Sequence, residues 1–276
     1  MNDSELNDLL SVARDGERDL RVRRQAIREL GLSDDTAVIP QLQRLMQRPK
    51  PGPEPALLNW DPAAAERVID LHLIEALYRL GDESHLSGIA RRVAAAGDIL
   101  QGPDDERLNA AEVLLRIGRL KPIGQVVDLC HRDEQKIVAN AVRTLQLLDL
   151  PRPPSGGPVD HHPGLSKKVS FEIDHLREEL ETIADLSEGS ISLSEGVVEE
   201  IARRDYDRGH VQRKGMSLAD IVTRDIDMLD FSYYTVDERV IVCTFREAGQ
   251  RWLNKWPEYK KHLTYDSKDQ RFLWKS

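Results

Sequence analysis

The chain has 276 residues, 40% of them apolar and 32% charged, and a formal net charge of −9. That balance belongs to a globular chain long enough for two domains of ordinary size. No apolar run approaches ~18 residues, which excludes a membrane-spanning helix, and the negative balance argues against nucleic acid, which demands clustered cations.

The segment Met1-Asn2-Asp3-Ser4-Glu5 is acidic and leads into an amphipathic stretch, whereas a secretory leader starts basic and continues apolar. A cytoplasmic location is expected if the chain is complete, and a periplasmic one if it is excised from a longer protein. Residues 1–150 then repeat one signature four times. First-helix copies read Leu6/Leu9/Leu10/Ala13, Val38/Leu42/Leu45, Leu86/Ile89/Ala90/Val93 and Ile123/Val126/Val127/Cys130. Second-helix copies read Ala26/Ile27/Leu30, Leu73/Ala76/Leu77/Leu80, Ala110/Val113/Leu114/Ile117 and Val138/Ala141/Val142/Leu145. Positions three and four apart share one stripe of a helix, and a pair of such helices closes its seam only by stacking on another pair. An α-solenoid of four helix pairs is expected. Gly31, Gly81 and Gly118 suit left-handed helix ends, and Asp34 or Asp35, Asp61, Asp82 and Asp133 suit helix starts.

The spacing from each second helix to the next first helix is nearly constant, so insertions fall inside the pairs and emerge on one edge. The largest runs from Arg48 to Asp61, with four prolines and Trp60 at its tip. Trp60 is either a partner contact or a plug on its own helices. Val22-Arg23-Arg24-Gln25-Ala26-Ile27-Arg28-Glu29-Leu30-Gly31 and Leu73-Ile74-Glu75-Ala76-Leu77-Tyr78-Arg79-Leu80-Gly81 resemble HEAT-type repeats over residues 3 to 149. The long second and third intra-pair loops and the missing glycine after Leu145 depart from that pattern. The resemblance implies a curved scaffold whose second helices line a concave face, with Arg24, Arg28, Arg116 and Arg143 as candidate partner contacts.

Residues 151–166 are rich in proline and glycine and read as a linker. His161 and His162 lie there without a second ligand cluster, so no metal is expected. In residues 167–246 the period changes: strands at 169–173, 191–193, near 210–212, 231–236 and 239–243 alternate with helices led by Leu176 and Leu218. The expected order is β-α-β-β-α-β-β, a small α+β domain of two helices on a sheet. Phe171-Glu172-Ile173, Leu176-Arg177-Glu178-Glu179-Leu180, Ile191-Ser192-Leu193, Met216-Ser217-Leu218-Ala219-Asp220-Ile221 and Leu229-Asp230-Phe231-Ser232-Tyr233 resemble the short N-terminal domain of secretins and TonB-dependent receptors. That resemblance implies a non-catalytic docking module. It departs at Gly196 to Arg208, a charged insertion.

Residues 247–276 gather Trp252, Trp256 and Trp274 with Tyr259, Tyr265 and Phe272 among Arg251, Lys255, Lys260, Lys261 and Arg271. Trp252 and Trp256 share one side of a helix expected to end before Pro257, and residues 263–265 and 271–274 are set to form a hairpin. These aromatics either meet a partner, with Trp252 and Trp256 as contacts, or fold back as a cap. Cys130 and Cys243 read as two separate buried thiols.

No phosphate-binding glycine loop, nucleophile elbow, zinc spacing or His/Cys pairing appears, and the carboxylates read as solvated helix faces. The expectation is therefore a multidomain protein, an N-terminal HEAT-like α-solenoid followed by a small α+β domain and an aromatic, basic C-terminal extension. It has no catalytic residues, cofactor or metal, and its partner is protein. The alternatives are nucleic-acid binding through a basic concave face, and a resemblance to HEAT-type lyases that attach bilin pigments.

Overall fold

The computed structural model describes residues 2–48, 62–97, 105–156, 165–173, 176–203, 211–228, 230–236 and 239–275. It is a mixed, multidomain α+β chain that divides into two compact units. One comprises Met1–Leu129, Arg143–Asp149 and Thr264–Leu273; the other comprises Cys130–Val142, Leu150–Leu263 and Trp274–Ser276.

The first unit holds α1 (Asp3–Arg14), α2 (Leu20–Gly31), α3 (Ile39–Met46), α4 (Pro62–Arg79), α5 (Gly88–Ala94), α6 (Glu106–Ile117), α7 (Leu120–Asp128) and the end of α8 (Gln135–Leu147). Helix starts are set by local chemistry. Asn2 and Glu5 form a reciprocal capping box on α1, and Asp19 and Asp105 accept the N–H groups of Arg21 and Arg107 to cap α2 and α6. Asp35 caps only a 3₁₀ turn ahead of α3. Asp82 accepts the N–H of Ser84 in a turn, and α5 starts six residues later at Gly88, so its expected capping role is not realised. Asp61 lies outside the described residues.

Every second-helix stripe position is buried, from Ala26 on α2 to Leu145 on α8. The helix α4 departs from simple amphipathicity because α2, α3, α5 and α6 all pack on it. It buries Val68, Ile69, Leu71, Leu73, Ile74 and Leu77 around most of its circumference. Gly81 (φ 95°) and Gly118 (φ 67°) hold the left-handed geometry expected of them. Gly31 does not. It is the last residue of α2, and glycine is needed there because a Cβ would come 2.7 Å from the Ala76 backbone of α4. Gly31→Ala is therefore expected to cost about 1–3 kcal/mol through overpacking, outweighing alanine's better helix propensity. Its urea midpoint should fall with the slope unchanged, and a midpoint at or above wild type would show that α2 does not need this close approach.

The second unit contains β1 (Lys168–Ile173), α9 (Leu176–Leu186), β2 (Ile191–Leu193), α10 (Glu195–Arg203), β3 (Val211–Ser217), α11 (Leu218–Met228), β4 (Phe231–Val236), β5 (Arg239–Thr244) and α12 (Phe245–Tyr259). The strands form two sheets, in place of the single sheet expected. The strand β1 pairs antiparallel with β3 around a bulge at Val169/Ser170, and a second sheet runs β2-β5-β4 with β2 parallel and β4 antiparallel to β5. Leu180, Ile183, Val197, Ile201, Leu218, Ile221, Val222 and Ile226 bury against Ile191, Phe231, Val240 and Val242.

Two further expectations fail in this unit. The charged insertion from Gly196 begins as the helix α10, because Val197 and Ile201, four apart, bury one face while Ser194 accepts the N–H of Val197. The helix α12 runs through Pro257 to Tyr259. The proline removes one hydrogen bond near the end of the helix, while Trp252, Trp256 and Tyr259 pack at centroid distances of 6.0–6.4 Å and hold the last turn in place. The expected hairpin is present as β6 (Leu263–Asp266) and β7 (Arg271–Trp274). No helix among the described residues is long and apolar enough to cross a membrane.

Candidate functional site

The polar side chains of α4 organise the first unit. On one flank Glu66 receives Arg23 of α2 at 2.6 Å and the Arg48 guanidinium, with Arg48 Nε at 2.7 Å. One turn on, Asp70 is fully buried and pairs with Arg92 at 2.5 Å and Arg48 at 3.4 Å. Arg67 clasps Glu106 of α6 through two bonds of 2.6 and 2.8 Å, and Glu106 also accepts the Gly97 N–H at 3.2 Å.

The other flank joins the second helices into a row. Asn109 of α6 donates its amide N–H to the Asp105 carbonyl, which orients its oxygen to accept from Arg24 of α2 at 2.8 Å and to face His72 Nε2 at 3.1 Å. Because that oxygen only accepts, His72 carries a proton on Nε2 and turns Nδ1 toward Glu75, 3.7 Å away. Glu75 also receives Arg116 at 2.9 and 3.0 Å and Arg79 at 3.0 Å. Burial pushes the Glu75 carboxyl upward, but the neighbouring His72 and the Arg116 and Arg79 charges outweigh it and hold it at about 2. Burial likewise opposes ionisation of Glu66, and Arg23 and Arg48 prevail, so its pKa is lowered.

These four carboxylates overturn the expectation of solvated helix faces: Glu66, Asp70, Glu75 and Glu106 are all buried. The physical reason is the position of α4 between neighbours on every side, which puts its polar positions opposite arginines from other helices. Spacing offers a partial signal, since Glu66/Asp70 and Glu75/Arg79 are four apart on α4.

The candidate contact residues separate into groups. Arg24 and Arg116 are drawn together by α4, through Asn109, His72 and Glu75. Arg116 also reaches Glu112 at 3.2 Å, whose side chain is 48% exposed. Arg28 is exposed and has no ion-pair partner among the described residues. Arg143 is half-buried on α8. Trp252 and Trp256 are 1% and 5% exposed, so they belong to the interior of the second unit and offer a partner no surface. Gly249 lets α12 approach the α8 end of that unit, where a Cβ would meet Cys130 at 3.1 Å and Val138 at 3.2 Å. Trp60, His161 and His162 lie outside the described residues. His72 and Asn109 were missed by sequence reasoning, because neither belongs to a motif and their meeting depends on α4 packing beside α6.

The C-terminal hairpin shows what folding back achieves. In the first unit the Tyr265 hydroxyl donates to the Arg116 carbonyl at 3.2 Å, and a Cβ on Gly118 would strike the Tyr265 ring. Cys130 and Cys243 are both buried and are not joined in a disulfide, and burial together with the nearby Glu247 charge pushes the Cys243 pKa well above the usual thiol range. Among the described residues no three His, Cys, Asp or Glu side chains are grouped to hold a metal. No family model, curated protein or solved structure matches the chain.

Proposed function

We propose that the protein is a non-catalytic scaffold for a protein partner, in which α1–α8 act as a HEAT-like array presenting its second helices and the second unit acts as a docking module. The observation that supports this most is the row Arg24–Asn109–His72–Glu75–Arg116, which ties α2, α4 and α6 side chain to side chain. Desolvating that many charges yields little net stability but fixes their positions. A row of rigid polar groups bordered by exposed Arg28 and the half-exposed Glu112 suits a partner recognised by charge and hydrogen bonds. The same pairing disfavours nucleic acid, because Glu75 and Glu112 neutralise the arginines between them.

The test is quantitative affinity capture from the native extract with the full chain and with Arg28→Glu. One protein partner should bind saturably and lose about tenfold in affinity in the variant, as for a charge at a contact surface. Saturable capture of nucleic acid that falls steeply with salt, or turnover of a small molecule by the isolated chain, would replace the scaffold reading.

A further inference from the structure

Residues 251–276 carry seven Lys/Arg against three Asp/Glu, in a chain of net charge −9. In the second unit part of that excess collects along one seam. Residues 151–154 are tied to α12 by two bonds. The Tyr259 hydroxyl donates to the Pro151 carbonyl at 2.8 Å, and Arg251 donates to the Pro154 carbonyl at 2.5 Å. Arg251, Lys255 and Tyr259 are spaced four apart on the helix, so Lys255 lies on the same stripe between the two bonds. Arg152 sets its guanidinium 5.5 Å from the Trp274 ring, which packs 5.6 Å from Tyr259. Three cations therefore border one seam, which runs about 12 Å from Arg251 to Tyr259 at the rise of a helix.

These cations lack the negative partners that the arginines around α4 have. Arg251 meets the Pro154 carbonyl and the Tyr234 ring, at 4.4 Å, and Arg152 meets the Trp274 ring. Neither they nor Lys255 has a carboxylate partner among the described residues. Glu247, one turn before Arg251, is taken up by the Ser194 hydroxyl at 2.7 Å and by the Thr244 and Gly196 N–H groups at 2.8 and 3.3 Å. Glu258 pairs with Lys261 at 2.6 Å and lies 3.5 Å from His262. Burial and the Arg251 charge push the Lys255 pKa below its ordinary value, as expected where cations face no anion. Arg152 and Lys255 are exposed and Arg251 is half-buried, so a ligand can reach all three.

We propose that this seam binds an extended acidic peptide, whose carboxylates supply the partners that Arg152, Lys255 and Arg251 lack. The length suits such a segment, since about 12 Å is the span of roughly four extended residues. The guanidinium N–H groups left over by the Pro154 carbonyl can fork onto a carboxylate. A single-stranded nucleic acid would also need aromatic faces for its bases. Trp252, Trp256 and Tyr259 are buried, and Trp274 is already stacked on His262 at 4.9 Å. The inference rests on the reading of the second unit as a docking module and names what it docks. Arg28 belongs to the first unit, so failure of the peptide site and failure of the Arg28 surface are separate results.

The experiment titrates the full chain into a labelled oligoglutamate peptide and, separately, a labelled oligothymidine of equal charge, read by fluorescence anisotropy. Arg152→Gln, Lys255→Gln and their combination are compared with wild type and with Lys121→Gln, an exposed cation of α7 in the first unit. Oligoglutamate should bind wild type saturably and more weakly as salt rises. Each seam variant should lose about threefold in affinity and the combination about tenfold, while Lys121→Gln changes nothing. No saturable binding to wild type, or a loss that Lys121→Gln reproduces, overturns the proposal. So does binding that the combined variant retains in full. Tighter binding of oligothymidine, lost in the same variants, overturns it in favour of a nucleic-acid site. If circular dichroism shows that Arg152→Gln disturbs the fold, Lys255→Gln, at an exposed helical position, decides by the same affinities.

Discussion

Replacing Trp252 with alanine is expected to destabilise the second unit by about 3–5 kcal/mol, the usual cost of emptying a fully buried large aromatic site. The side chain is 1% exposed and packs on Trp256 and Tyr259 at 6.4 and 6.2 Å. Its indole N–H is buried without a hydrogen-bond partner among the described residues. Trp252→Phe therefore loses area but also removes an unsatisfied donor, and should cost far less than alanine. Urea denaturation followed by far-ultraviolet circular dichroism reads both. An alanine variant as stable as wild type would return Trp252 to the surface and to the role of partner contact.

Glu75 carries the largest expected pH effect. Its carboxyl is held at about 2 against an ordinary 4.5, which corresponds to about 3 kcal/mol of stability at neutral pH. Because the folded value lies below the unfolded one, that contribution is complete above about pH 4.5, shrinks as pH falls and is gone near pH 2. Glu75→Gln removes the charge and leaves Arg79, Arg116 and His72 around a neutral amide. Its stability deficit relative to wild type should be largest at pH 7 and close progressively toward pH 2. A deficit that stays constant over that interval would mean that Glu75 contributes through shape and hydrogen bonding and not through its charge.

The aromatic residues of the C-terminal extension illustrate how composition misleads when the chain supplies its own partner. Cations interleaved with tryptophans are the pattern of a base-stacking surface, and Arg251 does lie over an aromatic ring and donate to a backbone carbonyl. Both acceptors, Tyr234 and Pro154, belong to the same unit of the same chain. Trp274 is likewise flanked by Arg152 and His262.

What residues alone determined were the features that depend on near neighbours along the chain. The i, i+3, i+4 stripes placed the helices and named their buried faces, because side-chain periodicity follows directly from backbone geometry. The hairpin of β6 and β7 and the left-handed glycines at 81 and 118 were legible for the same reason. Tertiary structure alone decided which polar groups are buried, since the burial of Glu66, Asp70, Glu75 and Glu106 depends on arginines 22 to 43 residues away. It also decided why Gly31 is glycine, that α10 forms, and that α12 continues past Pro257. In each of these cases a contact between distant segments outweighs the local preference, and no local pattern records such a contact.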